Sequence, residues 1–315
     1  MNENNLLSQL KIATPSAESI IQPDWAIARG ITLVVKRDDL LHPIISGNKW
    51  RKLKYALLQA HDNNVKHIVS FGGGFSNHVH ALGYCCHQLN IQFTAIIRGD
   101  YSHNLSPMLR DLLSWGTDIQ YVDRINYQQR AEPQYLQTLA TKYPNALIIP
   151  EGGSQLQALK GVAEIIDELQ NEYDYVLAPV ASGGTLAGLI QGATQDVKHH
   201  SCQILGIGVL KGEGYLEQLV TELLVKNTPA KSWHINHNYH FGGYAKANNE
   251  LRQFCDDFYQ QTKIEIEPLY SGKLFFALRD LIAKGYFPQK SRILAIHTGG
   301  MQGGKSPLLY SSKIR

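Results

Sequence analysis

The alternation of strand-like and helix-like segments is the feature that most restricts how this chain can fold. Short runs rich in branched apolar residues recur between longer helical patterns, at residues 31–39, 67–72, 92–98, 118–123, 146–150, 175–180, 204–209 and 292–297. Such repetition predicts an α/β protein whose parallel sheets are covered by helices on both faces. About ten strands are many for one twisted sheet, so two domains are predicted, each with a mostly parallel sheet and with a cleft between them.

Composition narrows the class of protein. The chain has 315 residues, 43% of them apolar and 18% charged, which is enough to form a large core. A net charge of +3 is spread along the sequence without a run of like charges, so neither a nucleic-acid partner nor a membrane-surface helix is expected. The first 15 residues resemble no targeting or membrane segment, and we expect a cytosolic protein. Four cysteines without a CxxC pair indicate reduced thiols rather than disulfides or a zinc site.

Four glycine-containing turns follow predicted strands and carry polar residues. They are SGNK at 46–49, FGGGFSNHVH at 71–80, ASGGTLAG at 181–188 and TGGMQGG at 298–304. In parallel sheets, ligands bind beyond the carboxyl ends of the strands, where turns and helix N-termini expose backbone N–H groups. These turns are therefore the candidate binding elements.

The turn ASGGTLAG is typical of a phosphate cup. Gly183 and Gly184 permit a tight turn close to a ligand, and Ser182 and Thr185 add hydroxyl groups where a helix begins. The turn lacks the Gly-Lys-Ser/Thr ending of a nucleotide P-loop and is not GxGxxG, so a single phosphate is favoured. The alternative is a serine-capped glycine turn without a ligand.

The turn FGGGFSNHVH predicts a carboxylate site. Ser76, Asn77 and His78 open a helix whose free N–H groups can hold an anion. The alternative is that Ser76 or Asn77 only caps this helix. A metal site is not expected, because His78 and His80 lie on different faces of the helix.

Lys49 lies at the start of a helix, where a cation opposes the helix dipole. An ordinary solvated lysine is the simplest interpretation. However, a lysine held in an electropositive and partly desolvated place has a lowered pKa, and its neutral amine can form a Schiff base. A reactive lysine, a monophosphate cup and a carboxylate site together indicate pyridoxal phosphate and an amino-acid substrate.

Six ordered motifs between Lys36 and Gly300 carry a family resemblance. They are KRDDL with SGNKWRKL, FGGGFSNHVHALG, IPEGGS, SGGTLAG, EPLYSGK and HTGG. The chain resembles the pyridoxal-phosphate enzymes of the tryptophan-synthase-β fold, also called fold type II. Within them it resembles the branch that holds D-cysteine desulfhydrase and 1-aminocyclopropane-1-carboxylate deaminase.

The resemblance implies an architecture. A large cofactor-binding domain is expected from residues 1–51 and 163–315, and a small domain from residues 52–162. The cofactor is expected in the cleft between these domains. The resemblance also implies a homodimer.

The resemblance further implies roles for individual residues. Lys49 forms the Schiff base with pyridoxal phosphate, and Asn77 hydrogen-bonds its 3-hydroxyl group. Ser76, with the amides of Asn77 and His78, holds the substrate carboxylate. Tyr270 and Tyr244 match the two active-site tyrosines of the family, although the residues AKANN after Tyr244 depart from its pattern. The phosphate is bound by Lys52 together with Ser182, Gly183, Gly184, Thr185 and Leu186.

Ser271 and Thr298 help to predict which type of reaction the chain catalyses. In the resembling deaminases a glutamate follows the tyrosine and a leucine replaces the threonine, whereas this chain has Ser271 and Thr298. The resemblance implies that these two hydroxyl side chains lie at the ring nitrogen. A hydroxyl leaves the nitrogen largely neutral, which favours loss of the α-proton and expulsion of a good leaving group over opening of a cyclopropane.

We therefore expect an α,β-elimination that converts D-cysteine to pyruvate, ammonia and hydrogen sulfide. A deaminase acting on 1-aminocyclopropane-1-carboxylate is the alternative within enzymes, and a non-catalytic binder of the cofactor or of amino acids is the alternative outside them. The sequence leaves open which of Lys49, Tyr244 and Tyr270 moves the α-proton, and which stereoisomer is used.

Overall fold

Two β-sheets organise the chain in a computed structural model that describes residues 2–199, 201–224 and 232–301. The strands are β1 (Glu18–Ile21), β2 (Thr32–Lys36), β3 (His67–Gly73), β4 (Gln92–Arg98), β5 (Asp118–Val122), β6 (Leu147–Ile149), β7 (Tyr175–Val180), β8 (Gln203–Gly208), β9 (Trp233–Asn236) and β10 (Arg292–Ile296). The helices are α1 (Glu3–Leu10), α2 (Asp24–Ile27), α3 (Asn48–Asp62), α4 (Asn77–Gln88), α5 (Pro107–Ser114), α6 (Arg124–Gln128), α7 (Pro133–Lys142), α8 (Leu156–Asp167), α9 (Gly184–Gln195), α10 (Tyr215–Leu223), α11 (Asn249–Thr262) and α12 (Ser271–Ala283). Short 3₁₀ turns span Asp38–Leu40, Gln129–Ala131 and Glu151–Gly153.

Both sheets are mostly parallel, as predicted. The larger sheet has the order β1-β2-β10-β7-β8-β9, and the smaller has the order β5-β4-β3-β6. All described pairs are parallel except the edge pair of β1 with β2. The α/β prediction with a fold type II sheet arrangement is confirmed.

Each of the eight predicted strands is present within a few residues of its predicted bounds. The strands β1 and β9 were not predicted. Both contain four residues at the edges of the larger sheet, and each buries only one residue fully. Such short, half-exposed strands lack the continuous apolar run that marks a strand buried on both faces.

Apolar residues cover both faces of the larger sheet. On β2, Leu33 and Val35 point into the cluster that contains α11 and α12, whereas Val34 points into the cluster that contains α8 and α9. Opposite directions of neighbouring residues follow from the period of two in a strand. The helices are therefore fixed on both faces of the sheet, and their N-termini follow the carboxyl ends of the strands.

Helix α3 packs against both parts of the molecule. It contacts α4 beside the smaller sheet and α8 beside the larger one, and its residues Trp50 and Leu53 belong to the core of the smaller sheet. Sheet membership alone therefore does not fix a boundary within α3. The division of the chain at residues 51, 52, 162 and 163 stays a prediction.

The helices of the described residues include none that is long and apolar enough to cross a membrane.

Candidate active site

The turn before Lys49 is shaped by a close contact with the turn after β10. Gly47 has a φ of +66°, and a Cβ at this position would lie 1.8 Å from the carbonyl oxygen of Thr298. The amide N–H of Asn48 donates to that same oxygen at 3.1 Å. Only glycine permits this approach, so the start of α3 is held directly against Thr298.

Lys49 is linked by hydrogen bonds to the start of α9. Its Nζ donates to Oδ1 of Asn48 at 2.5 Å, and Nδ2 of Asn48 donates to Oγ1 of Thr185 at 2.8 Å. The lysine is partly buried. Burial lowers the pKa of Lys49 to about 8, against the opposing effect of the Glu267 carboxylate. The direction agrees with the sequence prediction, but the cause is burial more than neighbouring positive charge.

The turn after β7 presents free backbone donors. Helix α9 begins at Gly184, and Gly183 at its N-cap has a φ of +75° and offers no side chain. No described residue accepts a hydrogen bond from the amide N–H of Gly183, Thr185 or Leu186. These N–H groups, at the positive end of a helix, form the cup predicted for an anion.

Lys52 adds a buried positive charge beside this cup. Its Nζ lies 3.2 Å from Oγ of both Ser154 and Ser182, and 3.4 Å from the carbonyl oxygen of Gly152. The two serine hydroxyls lie 2.8 Å apart. Burial, reinforced by the charge of Lys49, lowers the pKa of Lys52 to about 7. A bound anion would stabilise the ammonium form.

Ser76 is the N-cap of α4, as the alternative interpretation predicted. Its Oγ accepts from the amide of Val79 at 3.3 Å. The cap leaves other donors available, because the amide N–H groups of Asn77 and His78 meet no acceptor within the described parts of the chain. Capping and anion binding are therefore compatible at this helix.

Asn77 faces the turn after β10. Its Nδ2 donates to the carbonyl oxygen of Gly300 at 3.2 Å, while its buried Oδ1 has no partner within the described chain. A Cβ on Gly300 would lie 2.6 Å from Nδ2 of Asn77. A buried amide oxygen without a donor is costly, so a ligand hydroxyl group fits this position.

The side chain of His78 points towards the smaller sheet. Ser70 donates its hydroxyl proton to the carbonyl oxygen of Ile149, so Nε2–H of His78 donates to Oγ of Ser70 at 2.8 Å. Burial and the charges of Lys49 and Lys52 lower the pKa of His78 to about 3, which keeps the ring neutral. Only its backbone amide is free to meet a carboxylate.

Tyr270 and Tyr244 meet, although they lie on separate segments. The hydroxyl of Tyr270 donates to that of Tyr244 at 3.1 Å, and the two rings lie nearly edge to face at 6.0 Å. Tyr244 is 51% exposed, whereas Tyr270 is partly buried. Burial and its tyrosine neighbour raise the pKa of Tyr270, so this residue is a proton donor at neutral pH.

Ser271 is fully buried and bonded to Glu267. The carboxylate of Glu267 accepts from the amides of Leu269, Tyr270 and Ser271 at 2.5, 2.9 and 2.8 Å. It also accepts from the Ser271 hydroxyl at 3.1 Å. The predicted role of Ser271 at the ring nitrogen stays a prediction.

Sequence reasoning did not assign roles to Asn48, Ser154 or Glu267. Each lies within a quoted motif, but its importance depends on a partner that the motif does not show. The signal available for Asn48 and Ser154 was their position beside assigned residues. For Glu267 it was an acidic residue three positions before a helix-opening tyrosine.

The predicted turn TGGMQGG is only partly visible, because residues 302–304 lie outside the described residues. Among the described residues, no group of three His, Cys, Asp or Glu side chains could hold a metal ion. All four cysteines are buried, and none of them forms a disulfide.

The donor set fits pyridoxal phosphate. An amine with a lowered pKa, an amide cup with a neighbouring ammonium group and an orphaned amide oxygen match an aldehyde, a phosphate and a ring hydroxyl group. The family model for pyridoxal-phosphate-dependent enzymes matches residues 22–299. The chain belongs to this family. It is therefore an enzyme that uses pyridoxal phosphate, and its relatives indicate a lyase.

Named relatives narrow the branch to the deaminases and desulfhydrases. A Pyrococcus furiosus protein, provisionally named a 1-aminocyclopropane-1-carboxylate deaminase, is 30% identical over 87% of this chain and 86% of its own length. A bifunctional D-cysteine desulfhydrase/1-aminocyclopropane-1-carboxylate deaminase of Arabidopsis thaliana is 26% identical, over 88% of this chain and 74% of that protein. The D-cysteine desulfhydrase of Salmonella newport is 27% identical over 86% and 87%.

A solved structure agrees with these relatives. The crystal structure of a homologue of 1-aminocyclopropane-1-carboxylate deaminase superposes with a TM-score of 0.80 and 26% identity, and the alignment covers 98% of this chain and 97% of that one. The predicted branch of the fold type II enzymes is confirmed. These sequence identities do not determine the substrate, which is inferred from the chemistry of the site.

Proposed function

We propose that this enzyme is a D-cysteine desulfhydrase, which converts D-cysteine and water to pyruvate, ammonia and hydrogen sulfide. The carbon–sulfur bond breaks after loss of the α-proton, and hydrolysis of the three-carbon product releases ammonia. When bound, pyridoxal phosphate supplies the electron sink that makes the α-proton acidic.

The cofactor is held by residues from three turns. Lys49 supplies the amine that bonds to its aldehyde. The amides of Gly183, Thr185 and Leu186, with Ser182 and Lys52, hold its phosphate. Asn77 faces its 3-hydroxyl group, since Oδ1 of Asn77 is buried and lacks a donor.

The substrate is held at the start of α4. The free amides of Asn77 and His78, with Ser76 beside them, hold its carboxylate. Lys49 is the candidate base for the α-proton, because its pKa of about 8 allows a neutral amine near neutral pH. Tyr270 and Tyr244 form a hydroxyl pair that ends at a half-exposed residue, so they can pass a proton towards solvent.

The hydroxyl side chain of Ser271 is the feature that favours an elimination over the opening of a cyclopropane. The first residue of α12 has a hydroxyl group, and the nearby carboxylate of Glu267 is occupied by three backbone amides and by that hydroxyl. We propose that Ser271 and Thr298 face the ring nitrogen and leave it largely neutral. A shallow electron sink suffices to expel a thiolate but disfavours opening of a cyclopropane.

Deamination of 1-aminocyclopropane-1-carboxylate to 2-oxobutyrate and ammonia is the second candidate. The names of the Pyrococcus furiosus and Arabidopsis thaliana relatives favour it. The non-catalytic alternative is opposed by the presence of Lys49, Ser76, Asn77 and Tyr270 together.

A product assay separates these functions. The purified holoenzyme is supplied with D-cysteine, L-cysteine or 1-aminocyclopropane-1-carboxylate, and sulfide, pyruvate and 2-oxobutyrate are measured. We expect sulfide and pyruvate in equal amounts from D-cysteine, and no products from a Lys49→Ala variant. Release of 2-oxobutyrate as the main product would overturn the proposal in favour of the deaminase, and the absence of all products would favour a binder.

We also propose a cytosolic homodimer. The buried cysteines form no disulfide, which is consistent with a reducing compartment, and the dimer follows the family resemblance. Light scattering after size-exclusion chromatography would test the dimer: a mass near twice 35.3 kDa supports it, and a mass of one chain contradicts it.

A further inference from the structure

One face of helix α12 carries three residues that contact a single loop. Lys273, Phe276 and Asp280 are spaced by three and four positions, which places them on the same side of a helix. The loop is residues 237–247, after β9, and it contains Tyr244. The same helix follows directly on Tyr270. One rigid element is therefore positioned to fix both tyrosines relative to each other.

Lys273 makes polar contacts with the backbone just before Tyr244. Its Nζ donates to the carbonyl oxygens of His240 and Gly243 at 2.9 and 3.0 Å, and to that of Val209, directly after β8, at 2.9 Å. The lysine has 0% exposure. All three ammonium protons are therefore used on backbone carbonyls, and two of these carbonyls lie within four residues of Tyr244.

The loop backbone is unusual where Lys273 holds it. Phe241, Gly242, Gly243 and Ala245 have φ values of 53°, 94°, 126° and 57°, in the left-handed region. Two of these residues are not glycine, so the conformation persists only where surrounding contacts enforce it. Tyr244 itself is 51% exposed and contributes little packing of its own. Its position depends on the backbone on either side.

Two further contacts hold the preceding part of the loop. Phe241 packs edge to face on Phe276 at 5.0 Å, and the Tyr239 hydroxyl donates to Asp280 at 2.6 Å. These contacts fix residues 239–241, but they do not reach the carbonyl of Gly243. Within the loop, the N–H of Gly243 donates to the carbonyl oxygen of His240 at 3.0 Å, and that of Lys246 donates to the carbonyl oxygen of Gly243 at 3.2 Å. These bonds shape the loop, whereas the ammonium group of Lys273 ties its Gly243 carbonyl to helix α12.

We propose that Lys273 is a positioning residue that fixes the Tyr244 loop so that the Tyr244 hydroxyl meets Tyr270. The lysine acts through the backbone and does not contact the reacting atoms. This inference rests on the proposed function for its catalytic consequence, but its structural part does not.

A double-mutant cycle tests the catalytic consequence. Turnover of D-cysteine is measured for the wild type, Lys273→Met, Tyr244→Phe and the double variant. We expect Lys273→Met to lower kcat at least tenfold, because displacement of a positioned group by about 1 Å is enough for such losses. The double variant should match Tyr244→Phe within about twofold, since both changes remove the same hydroxyl from its place. Losses that multiply in the double variant would overturn the proposal.

Hydrogen exchange of the cofactor-free protein supplies a readout independent of activity. We expect faster amide exchange in residues 240–246 of Lys273→Met, with residues 267–272 unchanged. The control is Lys290→Met, which removes an exposed lysine outside this helix and should leave both segments unaltered. Unaltered exchange in residues 240–246 of Lys273→Met contradicts the proposal.

A milder substitution keeps the test valid if Lys273→Met does not fold. Lys273→Gln keeps two N–H donors and should give an intermediate increase in exchange, and an increase no smaller than that of Lys273→Met would contradict the role of the donors. If the wild type processes no amino acid, the proposed function fails, and the exchange measurement still decides whether Lys273 holds the loop.

Discussion

At the scale of single residues, Lys49 and Glu267 set the proton balance of the site. Burial lowers the pKa of Lys49 to about 8, and the carboxylate of Glu267 opposes this effect. About a tenth of the lysine is then neutral at pH 7, against roughly three in ten thousand for a lysine with an ordinary pKa. Burial thus prepares the amine for attack on an aldehyde, while Glu267 limits how far its pKa falls.

Removal of the Glu267 charge is expected to lower the pKa of Lys49 further. In Glu267→Gln, the neutral fraction of Lys49 at pH 7 should rise, by at most about tenfold. The measurement is the rate at which cofactor-free protein is labelled by pyridoxal and borohydride as a function of pH. The wild type should show a midpoint near pH 8, and the variant a lower one.

Two controls accompany this measurement. Glu265→Gln removes an exposed carboxylate two positions away and should leave the midpoint unaltered. Lys49→Ala should not be labelled at this site. Equal midpoints for Glu267→Gln and the wild type would show that the carboxylate does not influence Lys49.

Three of the residues identified from sequence share one property, which is that their local turn indicates their chemistry, whereas Tyr244, Tyr270 and Lys52 were assigned through the family resemblance. Lys49, Ser76 and Thr185 each lie where a strand has ended and a helix begins. Asn48 was missed because its partner Thr185 is 137 positions away. Lys273 was missed because a buried lysine bonded to carbonyls looks like any other lysine in sequence.

At the scale of elements, the N-termini of helices α4 and α9 are the two proposed anion sites, and they have different caps. Ser76 caps α4 with its side chain and leaves the amides of Asn77 and His78 free. Gly183 gives α9 no side-chain cap, and Lys52 lies beside it. The uncapped helix with the neighbouring ammonium group suits the more highly charged phosphate, and the capped helix suits a carboxylate.

Gly184→Ala is expected to weaken binding of the phosphate without unfolding the helix. An added Cβ would lie 2.9 Å from Oγ of Ser154 and 3.2 Å from Nζ of Lys52. Both atoms are ends of side chains and can shift, and alanine favours the helix by up to about 1 kcal/mol. The free energy of unfolding in urea should therefore change by no more than about 1 kcal/mol. The shift displaces the groups that contact the phosphate.

Comparison of two ligands checks this effect. We expect the Kd of pyridoxal phosphate to rise at least tenfold in Gly184→Ala, and the Kd of pyridoxal, which lacks the phosphate, to stay the same. An equal loss for both ligands would show that Gly184 supports the ring and not the phosphate.

At the scale of the whole molecule, the site depends on both sheets. Three of its turns follow strands of the larger sheet, and one follows β3 of the smaller sheet. The hydrogen bond from Asn77 to Gly300 joins the two groups directly. Strand direction predicted that the three turns of the larger sheet lie at one edge, because parallel strands end at the same edge. Their meeting with the turn after β3 was implied by the family resemblance, which places the cofactor in the cleft between the two domains. The sequence did not predict that α3 packs against elements beside both sheets. Apolar periodicity shows that a helix face is buried, but it does not show which element covers that face.

A buried ion network links helix α3 to the end of β2 and to the end of α8. Arg51 on α3 pairs with Glu168, directly after α8, and with Asp38 at 3.0 Å. Lys36, the last residue of β2, pairs with Glu168 at 3.0 Å. Burial of these charges is costly unless every partner is present. Loss of one member therefore destabilises the arrangement that carries Lys49, two positions before Arg51.

The network predicts how stability depends on pH. Burial raises the pKa of Glu168, but hydrogen bonds and charge from Arg51, with the charge of Lys36, outweigh it and lower the pKa to about 2. The carboxylate thus contributes stability that is fully present above its unfolded pKa of about 4.5, and that is lost as the pH falls towards 2. The shift corresponds to about 3 kcal/mol.

We expect Glu168→Gln to be less stable than the wild type at pH 6 by about 3 kcal/mol or more, because Arg51 and Lys36 lose a buried partner. The difference should narrow by about 2 kcal/mol between pH 6 and pH 3, because the wild-type carboxylate takes up a proton in the unfolded state while it stays ionised in the folded state. Urea unfolding at several pH values measures both quantities, with the exposed Glu172→Gln as the control. A difference that stays constant with pH would show that the Glu168 charge does not stabilise the fold, and that the variant acts through packing alone.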